Sequence, residues 1–334
     1  MSGPSLPVLA SDRTPPVTSG AFAPRVFAPV TGESMSAAQF AGSHVAVVTP
    51  FGASGEVDWQ AWERLVDFHL QQGSDGLVVG GTTGESVSLD DEELKGLLTR
   101  ARQQAGSRLQ ILAGLGTSNT ATTVARIAAF TSLPIDGALL VTPAYNRPTQ
   151  EGLYRHFEAA AAASKVPVML YNVPSRTAVD LLPETVGRLA RVPNIVATKE
   201  AVPNMQRIRE LRAACPAEFQ ILSGDDATAR DALAAGACGV VTVTGNVAPG
   251  LMRAMIEAAR RGDATRAAQL DAQLAPLHQA LFVEANPIPV KWALEKMGLI
   301  GGTLRLPLTE LSQRYRDAVS AALRAAQIPL SSAA

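Results

Sequence analysis

The sequence predicts an α/β fold, a (β/α)8 TIM barrel with a C-terminal helical appendage, on three observations. From about residue 43, short β-branched runs alternate with amphipathic helical stretches. Eight such units fit before residue 262, and about seventy further residues keep helical periodicity alone. An open, doubly wound sheet is the alternative that eight units leave.

In chain order, residues 1–36 are rich in Pro, Ser, Thr, Gly and Ala without a sustained period, and are expected to be a disordered tail. They have neither the basic start and continuous apolar run of a signal peptide nor the arginine content of a transit peptide, so a cytoplasmic location is expected. The strands are predicted over 45–49, 76–79, 110–114, 138–142, 168–171, 195–199, 220–223 and 239–244. Helices between and after them start near Asp58, Asp90, Asn119, Gln150, Pro183, Asn204, Ala227 and Pro249. Asp and Asn accept from the free N–H groups of a first helical turn, and Pro fits there because that turn leaves its missing donor unused. The barrel is thus expected over 43–262. A helical region over 263–330 follows, with helices at 264–283, 289–297 and 309–325 that either cover the barrel or build an oligomer contact.

Composition narrows the function. The 334 residues are 47% hydrophobic and 18% charged, ample for a large core. A net charge of -1 offers neither a nucleic-acid surface nor a polybasic membrane anchor, and no apolar run is long enough to span a bilayer. Cys215 and Cys238 fall at a helix end and a strand start, which points to a reducing compartment rather than a disulfide framework. His44, His69, His156 and His278 are scattered without ligand spacing, so no metal is expected and each reads as a surface or core-edge residue.

Active sites of such barrels lie at the C-terminal ends of the strands, where the following loops converge. Strand six, Ile195-Val196-Ala197-Thr198-Lys199, ends in a lysine and is followed by Glu200. Lys95, Lys165, Lys291 and Lys296 lie in helix-like or turn-like contexts that suit a solvated ammonium. Desolvation at a strand end disfavours the charged amine and favours a nucleophile toward carbonyls; the plainer alternatives are snorkelling to solvent or pairing with Glu200. After strand two, Gly80-Gly81-Thr82-Thr83-Gly84-Glu85-Ser86 lacks the Gly-Lys-Ser/Thr of a nucleotide loop. Its glycines let backbone N–H groups approach a small carboxylate, with a tight strand-to-helix turn as the plainer reading. Tyr145 and Tyr171 stand at strand ends, where a phenol passes a proton or simply rims the core. Arg176 follows closely and suits either a substrate carboxylate or a surface ion pair.

Five motifs, Gly81-Thr82-Thr83-Gly84-Glu85-Ser86, Tyr145-Asn146-Arg147-Pro148, Tyr171-Asn172-Val173-Pro174-Ser175-Arg176-Thr177, Lys199-Glu200-Ala201 and Ser223-Gly224-Asp225-Asp226, occur in one order. In them the chain resembles, over roughly 43–325, the dihydrodipicolinate synthase family of the pyruvate-dependent aldolase superfamily. The resemblance implies condensation of pyruvate with L-aspartate 4-semialdehyde to 4-hydroxy-tetrahydrodipicolinate, in lysine and diaminopimelate biosynthesis. It implies a Schiff base on Lys199 with no separate cofactor, and a proton relay of Thr82, Tyr145 and Tyr171. Thr83 would bind the pyruvate carboxylate, Arg176 the carboxylate of the semialdehyde, and Gly224 and Val241 would line the pyruvate pocket. It further implies a homotetramer, a dimer of dimers in which Tyr145 enters the neighbour's site. Thr122 and Ala144 stand where lysine-inhibited members carry a glutamate and a tyrosine, so weak or absent lysine feedback is expected. The alternatives are another pyruvate-dependent lyase, acting on N-acetylneuraminate or a 2-keto-3-deoxy sugar acid, and a non-catalytic barrel scaffold. Arg176 argues against the first and an intact Lys199 against the second.

Overall fold

The computed structural model describes residues 40–331, and the tail expected over 1–36 lies outside the described residues. The elements run β1 (Gly42–Ala46), α1 (Trp59–Gln72), β2 (Gly76–Val79), α2 (Asp91–Ala105), β3 (Gln110–Gly114), α3 (Thr120–Phe130), β4 (Gly137–Val141) and α4 (Gln150–Ala162). They continue with β5 (Val168–Asn172), α5 (Pro174–Thr177), α6 (Pro183–Leu189), β6 (Ile195–Glu200), α7 (Met205–Ala214), β7 (Gln220–Ser223), α8 (Ala229–Ala234), β8 (Gly239–Thr242) and α9 (Pro249–Arg260). The eight strands form a closed parallel barrel in sequence order, sealed where β1 pairs with β8. The barrel is therefore the architecture, not the open sheet.

Helix starts follow the predicted chemistry. Asp58, Asn119 and Asn204 accept from backbone N–H groups of the first turns of α1, α3 and α7, and Asp90 forms a reciprocal capping box with Glu93 on α2. Pro183 and Pro249 open α6 and α9. Strands β1 and β8 end earlier than expected because side chains take over the backbone donors. Val48 N–H goes to Asn246 Oδ1 at 3.1 Å and Thr244 N–H to Asp226 Oδ2 at 2.7 Å, so β1 stops at Ala46 and β8 at Thr242.

Strand alternation divides the core into two layers. Ala46, Val78, Leu112, Leu139, Met169, Ala197, Leu222 and Val241 fill the barrel interior together with Phe40. Val45, Leu77, Ile111, Leu140, Leu170, Ile221 and Val240 pack outward against the helices. Tyr171 and Lys199 lie two residues beyond Met169 and Ala197, which sends both side chains inward at the C-terminal end.

The C-terminal region contains α10 (Ala264–Ala280), α11 (Ile288–Lys296) and α12 (Gln313–Ala325). Leu270, Leu274, Leu277, Trp292, Val319 and Leu323 belong to the same core as the outer barrel face, so these helices cover the barrel. Helix α12 begins later than predicted, after Ser312 has given its N–H to Glu284. No described helix is long and apolar enough to cross a membrane.

The histidines differ from expectation: all four are buried, at 0–5% exposure. Each has one ring nitrogen matched to a polar group, with Gln110, Ser74, Thr120 and Thr244 as partners of His44, His69, His156 and His278. Burial holds His44 and His156 below the usual imidazole range and pushes His69 down to about 3. A buried neutral imidazole stabilises the fold above its unfolded pKa. That contribution is lost as pH falls below about 6.5, because the unfolded chain then binds the extra proton. Between pH 7.5 and 5.0, wild-type protein is expected to lose about 2 kcal/mol more stability than His69→Gln, which cannot protonate. Denaturant melts at the two pH values check this, and parallel losses would show that His69 is not the titrating group.

Candidate active site

Lys199 is the penultimate residue of β6, with 5% of its surface exposed. It is in register with Tyr171 of β5, and its Nζ lies 4.1 Å from the centre of that ring. The expected alternative of pairing with Glu200 does not occur, because successive strand residues face opposite sides. Glu200 points outward, 1% exposed, and accepts from Asn172 Nδ2 at 3.1 and 3.2 Å and from Val202 N–H at 2.8 Å. Arg207 Nη1 lies 3.6 Å from it. Burial pushes the Glu200 carboxyl up to about 7 against the pull of these donors. Asp180 completes the cluster, accepting from Asn172 at 2.8 Å and from Arg207 at 2.6 and 2.9 Å. This network braces the ends of β5 and β6, the two strands that hold Tyr171 and Lys199.

Gly224, just past β7, gives its N–H to Glu200 O at 2.7 Å and faces the stem of Lys199. A Cβ there would stand 2.8 Å from Lys199 Cε and 3.0 Å from its Cγ, so the lysine occupies the space a side chain would take. Val241 lies in the same interior layer as Tyr171. The Gly-rich loop is folded by its own backbone: Gly84 and Ser86 both donate to Gly81 O and Glu85 donates to Thr82 O. Among the described residues no acceptor meets the N–H of Thr82 or Thr83. Two such donors on one tight loop make a cradle that can accept a small anion such as a carboxylate. Thr83, 2% exposed, accepts from Asn286 Nδ2 at 3.0 Å.

Arg176 sits on the short helix α5, exposed, with Nη2 3.4 Å from Asn286 O. Tyr145 is placed differently from the rest. It is 95% exposed and held at φ 73° in a three-residue turn, where Asn146 N–H reaches Ala144 O at 2.9 Å. Such a turn is strained for a non-glycine residue, and Ser118 clamps it from both sides through Ala144 O and Asn146 Nδ2. Among the described residues no hydrogen bond joins Tyr145, Thr82 and Tyr171.

Behind the loop lies a feature the sequence did not announce. Lys291 is not solvated: it is 0% exposed, its Nζ 2.6 Å from Glu85 Oε1 and 2.9 Å from Thr49 O. Glu85, itself at φ 55°, also accepts Arg305 N–H at 3.1 Å. The cradle is thereby tied to the C-terminal region.

The sequence profile of the Dihydrodipicolinate synthetase family matches residues 39–326. The chain belongs to that family. A 4-hydroxy-tetrahydrodipicolinate synthase from Pseudomonas aeruginosa is 50% identical over 284 residues, 85% of this chain and 97% of that one. A solved dihydrodipicolinate synthase from Acinetobacter baumannii, complexed with pyruvate, is 44% identical with a TM-score of 0.86, covering 87% of this chain and all of that one. A solved monomeric dihydrodipicolinate synthase variant is 38% identical with a TM-score of 0.84, covering 87% of this chain and 98% of that one. The family is one of lyases of the class I aldolase type. Among the described residues no group of three or more His, Cys, Asp or Glu is placed to hold a metal ion.

Within this family member, Gly224→Ala is expected to separate activity from stability. The hardest clash falls on the Lys199 side chain, with Ala201 Cβ close by at 3.1 Å, so the side chain gives way before the backbone and the melting temperature shifts by roughly 2–4 °C. The displaced amine is expected to lower kcat/KM by about 100-fold. Unchanged kinetics would show that Lys199 Nζ does not need this position. Asn286 and Lys291 are residues beside the site that motif reading missed. Their partners are remote in sequence, and no local period marks them.

Proposed function

We propose that the chain condenses pyruvate with L-aspartate 4-semialdehyde to give 4-hydroxy-tetrahydrodipicolinate, the committed reaction toward diaminopimelate and lysine. The observation that carries this is a buried lysine at a barrel strand end, lying over a tyrosine ring beside a loop with two N–H groups, the amine without an ion pair and the N–H groups without an acceptor among the described residues. Lys199 attacks the pyruvate ketone and water leaves, giving an iminium. The iminium draws electrons from the methyl carbon, whose proton departs to leave an enamine. That carbon attacks the aldehyde. The substrate's amino group then displaces Lys199 and closes the ring, regenerating the free amine. The iminium itself is the electron sink, so no separate cofactor is required.

In this reading Thr83 and the loop N–H groups hold the pyruvate carboxylate, and Arg176 holds the second carboxylate at the mouth. Gly224 and Val241 shape the pocket, while Thr82, Tyr171 and Tyr145 move the protons. Tyr145 does so from a second copy. Its exposure and its clamped, strained turn suit a side chain presented to a neighbour, and we assign the working form as a homotetramer built from two dimers, in the cytoplasm. Exposed Thr122 and the small Ala144 offer an amino-acid effector neither a counter-ion nor a phenol, so lysine inhibition is weakened by roughly tenfold or more.

The test is borohydride reduction with pyruvate, peptide mass mapping, and a separate turnover assay with the semialdehyde. An adduct on Lys199 together with turnover supports the reading. An adduct without turnover moves the substrate to a sugar acid, and no adduct overturns the chemistry. Inhibition by micromolar L-lysine would defeat the feedback statement alone.

A further inference from the structure

One residue touches both carboxylate-binding groups of the proposed site. Asn286 lies in the loop between α10 and α11, 6% exposed. Its Nδ2 donates to Thr83 Oγ1 at 3.0 Å, and its backbone oxygen accepts from Arg176 Nη2 at 3.4 Å. Its Oδ1 is buried and has no partner among the described residues.

A threonine hydroxyl has one proton and two lone pairs. With one lone pair occupied by the Asn286 amide, the Thr83 proton is turned away from Asn286. Among the described residues no acceptor takes it, although Thr83 is 2% exposed. A buried hydroxyl proton without an acceptor is unfavourable, and the neighbouring free N–H groups of Thr82 and Thr83 mark where an anion supplies one. We propose that Asn286 is a positioning residue that orients the Thr83 hydroxyl to donate to the carboxylate of the first, ketone-bearing substrate. This rests on the proposed function, in which that substrate is pyruvate. Through its main chain the same residue also steadies Arg176, a contact no side-chain substitution removes.

The test compares wild type, Asn286→Ala and Asn286→Asp in the full-length protein, alone and in a Thr83→Val background. The aspartate keeps the shape but only accepts, so it takes the Thr83 proton for itself. Both single variants are expected to raise KM for pyruvate about tenfold or more, the aspartate at least as much as the alanine. Turnover at saturation and KM for the semialdehyde are expected to stay within about threefold, because the Arg176 contact uses the backbone. In the Thr83→Val background the Asn286 substitutions are expected to add nothing further.

Wild-type pyruvate dependence in Asn286→Asp, or a full additional loss in the Thr83→Val background, overturns the assignment. If Asn286→Asp does not fold, Asn286→Ala carries the same comparison without added charge. Borohydride trapping in the wild type separates the two levels. Absence of an adduct on Lys199 there defeats the proposed function, whereas a normal adduct with unaltered pyruvate dependence in the variants defeats only the role of Asn286.

Discussion

Lys199→Ala is expected to lower kcat/KM by roughly three orders of magnitude or more, about 4 kcal/mol of activation free energy, and to abolish borohydride-dependent labelling by pyruvate. The loss is expected to be large because in the proposed reaction the amine is the nucleophile and the iminium it forms is the electron sink for carbon–carbon bond formation. No other lysine substitutes for it. Lys291 is committed to Glu85 and Thr49, while Lys95 is salt-bridged to Glu92 on the surface of α2. The fold should tolerate the change, since the stem of Lys199 fills space beside Gly224 and Tyr171 without forming an ion pair among the described residues. Steady-state kinetics and a thermal melt on the same preparation check both statements. A folded alanine variant that retains a tenth of wild-type activity would remove Lys199 from the mechanism.

Glu85→Gln is expected to be the most destabilising of the conservative substitutions near the site, by about 3–5 kcal/mol at neutral pH. The amide keeps the shape of the side chain and its awkward φ of 55°, but leaves the ammonium of Lys291 without a counter-charge in a fully buried place. On a chain of this size the melting temperature should fall on the order of 5–10 °C. The deficit has a defined pH dependence. Burial already pulls the Lys291 amine below the usual lysine range, with Glu85 opposing that shift. Without Glu85 the folded pKa drops further. Between it and the unfolded value the unfolded chain binds more protons, so the variant regains stability as pH rises. Melts from pH 7 to pH 9.5 should show the gap to wild type narrowing. Adding Lys291→Met should recover part of the loss, because it removes the uncompensated buried charge and leaves only the neutral Gln amide to be desolvated. A Glu85→Gln protein that melts with the wild type at pH 7 would mean that the pair contributes nothing net to stability.

The two predictions differ in how far the sequence alone could reach. Lys199 was legible because the strand leading to it is a continuous local signal. Two-residue alternation puts Lys199 and Glu200 on opposite faces whatever the rest of the fold does. From sequence Lys291 suits a solvated ammonium, because its own surroundings, a helix with a proline near its start, hold no trace of the partner. Glu85 lies 206 residues away, and Asn286 lies 203 residues from Thr83. The histidines were placed too near the surface for the same reason. A histidine on a helix or strand is buried or exposed according to what covers that face, and its own sequence does not specify the cover.

The chain by itself therefore determined the elements, their order and the barrel they build, together with the inward-facing lysine and the glycine-rich loop. These follow from period, caps and strand alternation, all encoded within a few neighbouring residues. Only the tertiary structure decided which polar groups are buried, which of them meet, and that Tyr145 stands out from its own chain while Asn286 links Thr83 to Arg176. Those outcomes depend on barrel closure and on the C-terminal helices folding back over it. That step brings together segments some 200 residues apart and removes water from between them, so each buried charge or hydroxyl must find a partner there or in a bound substrate.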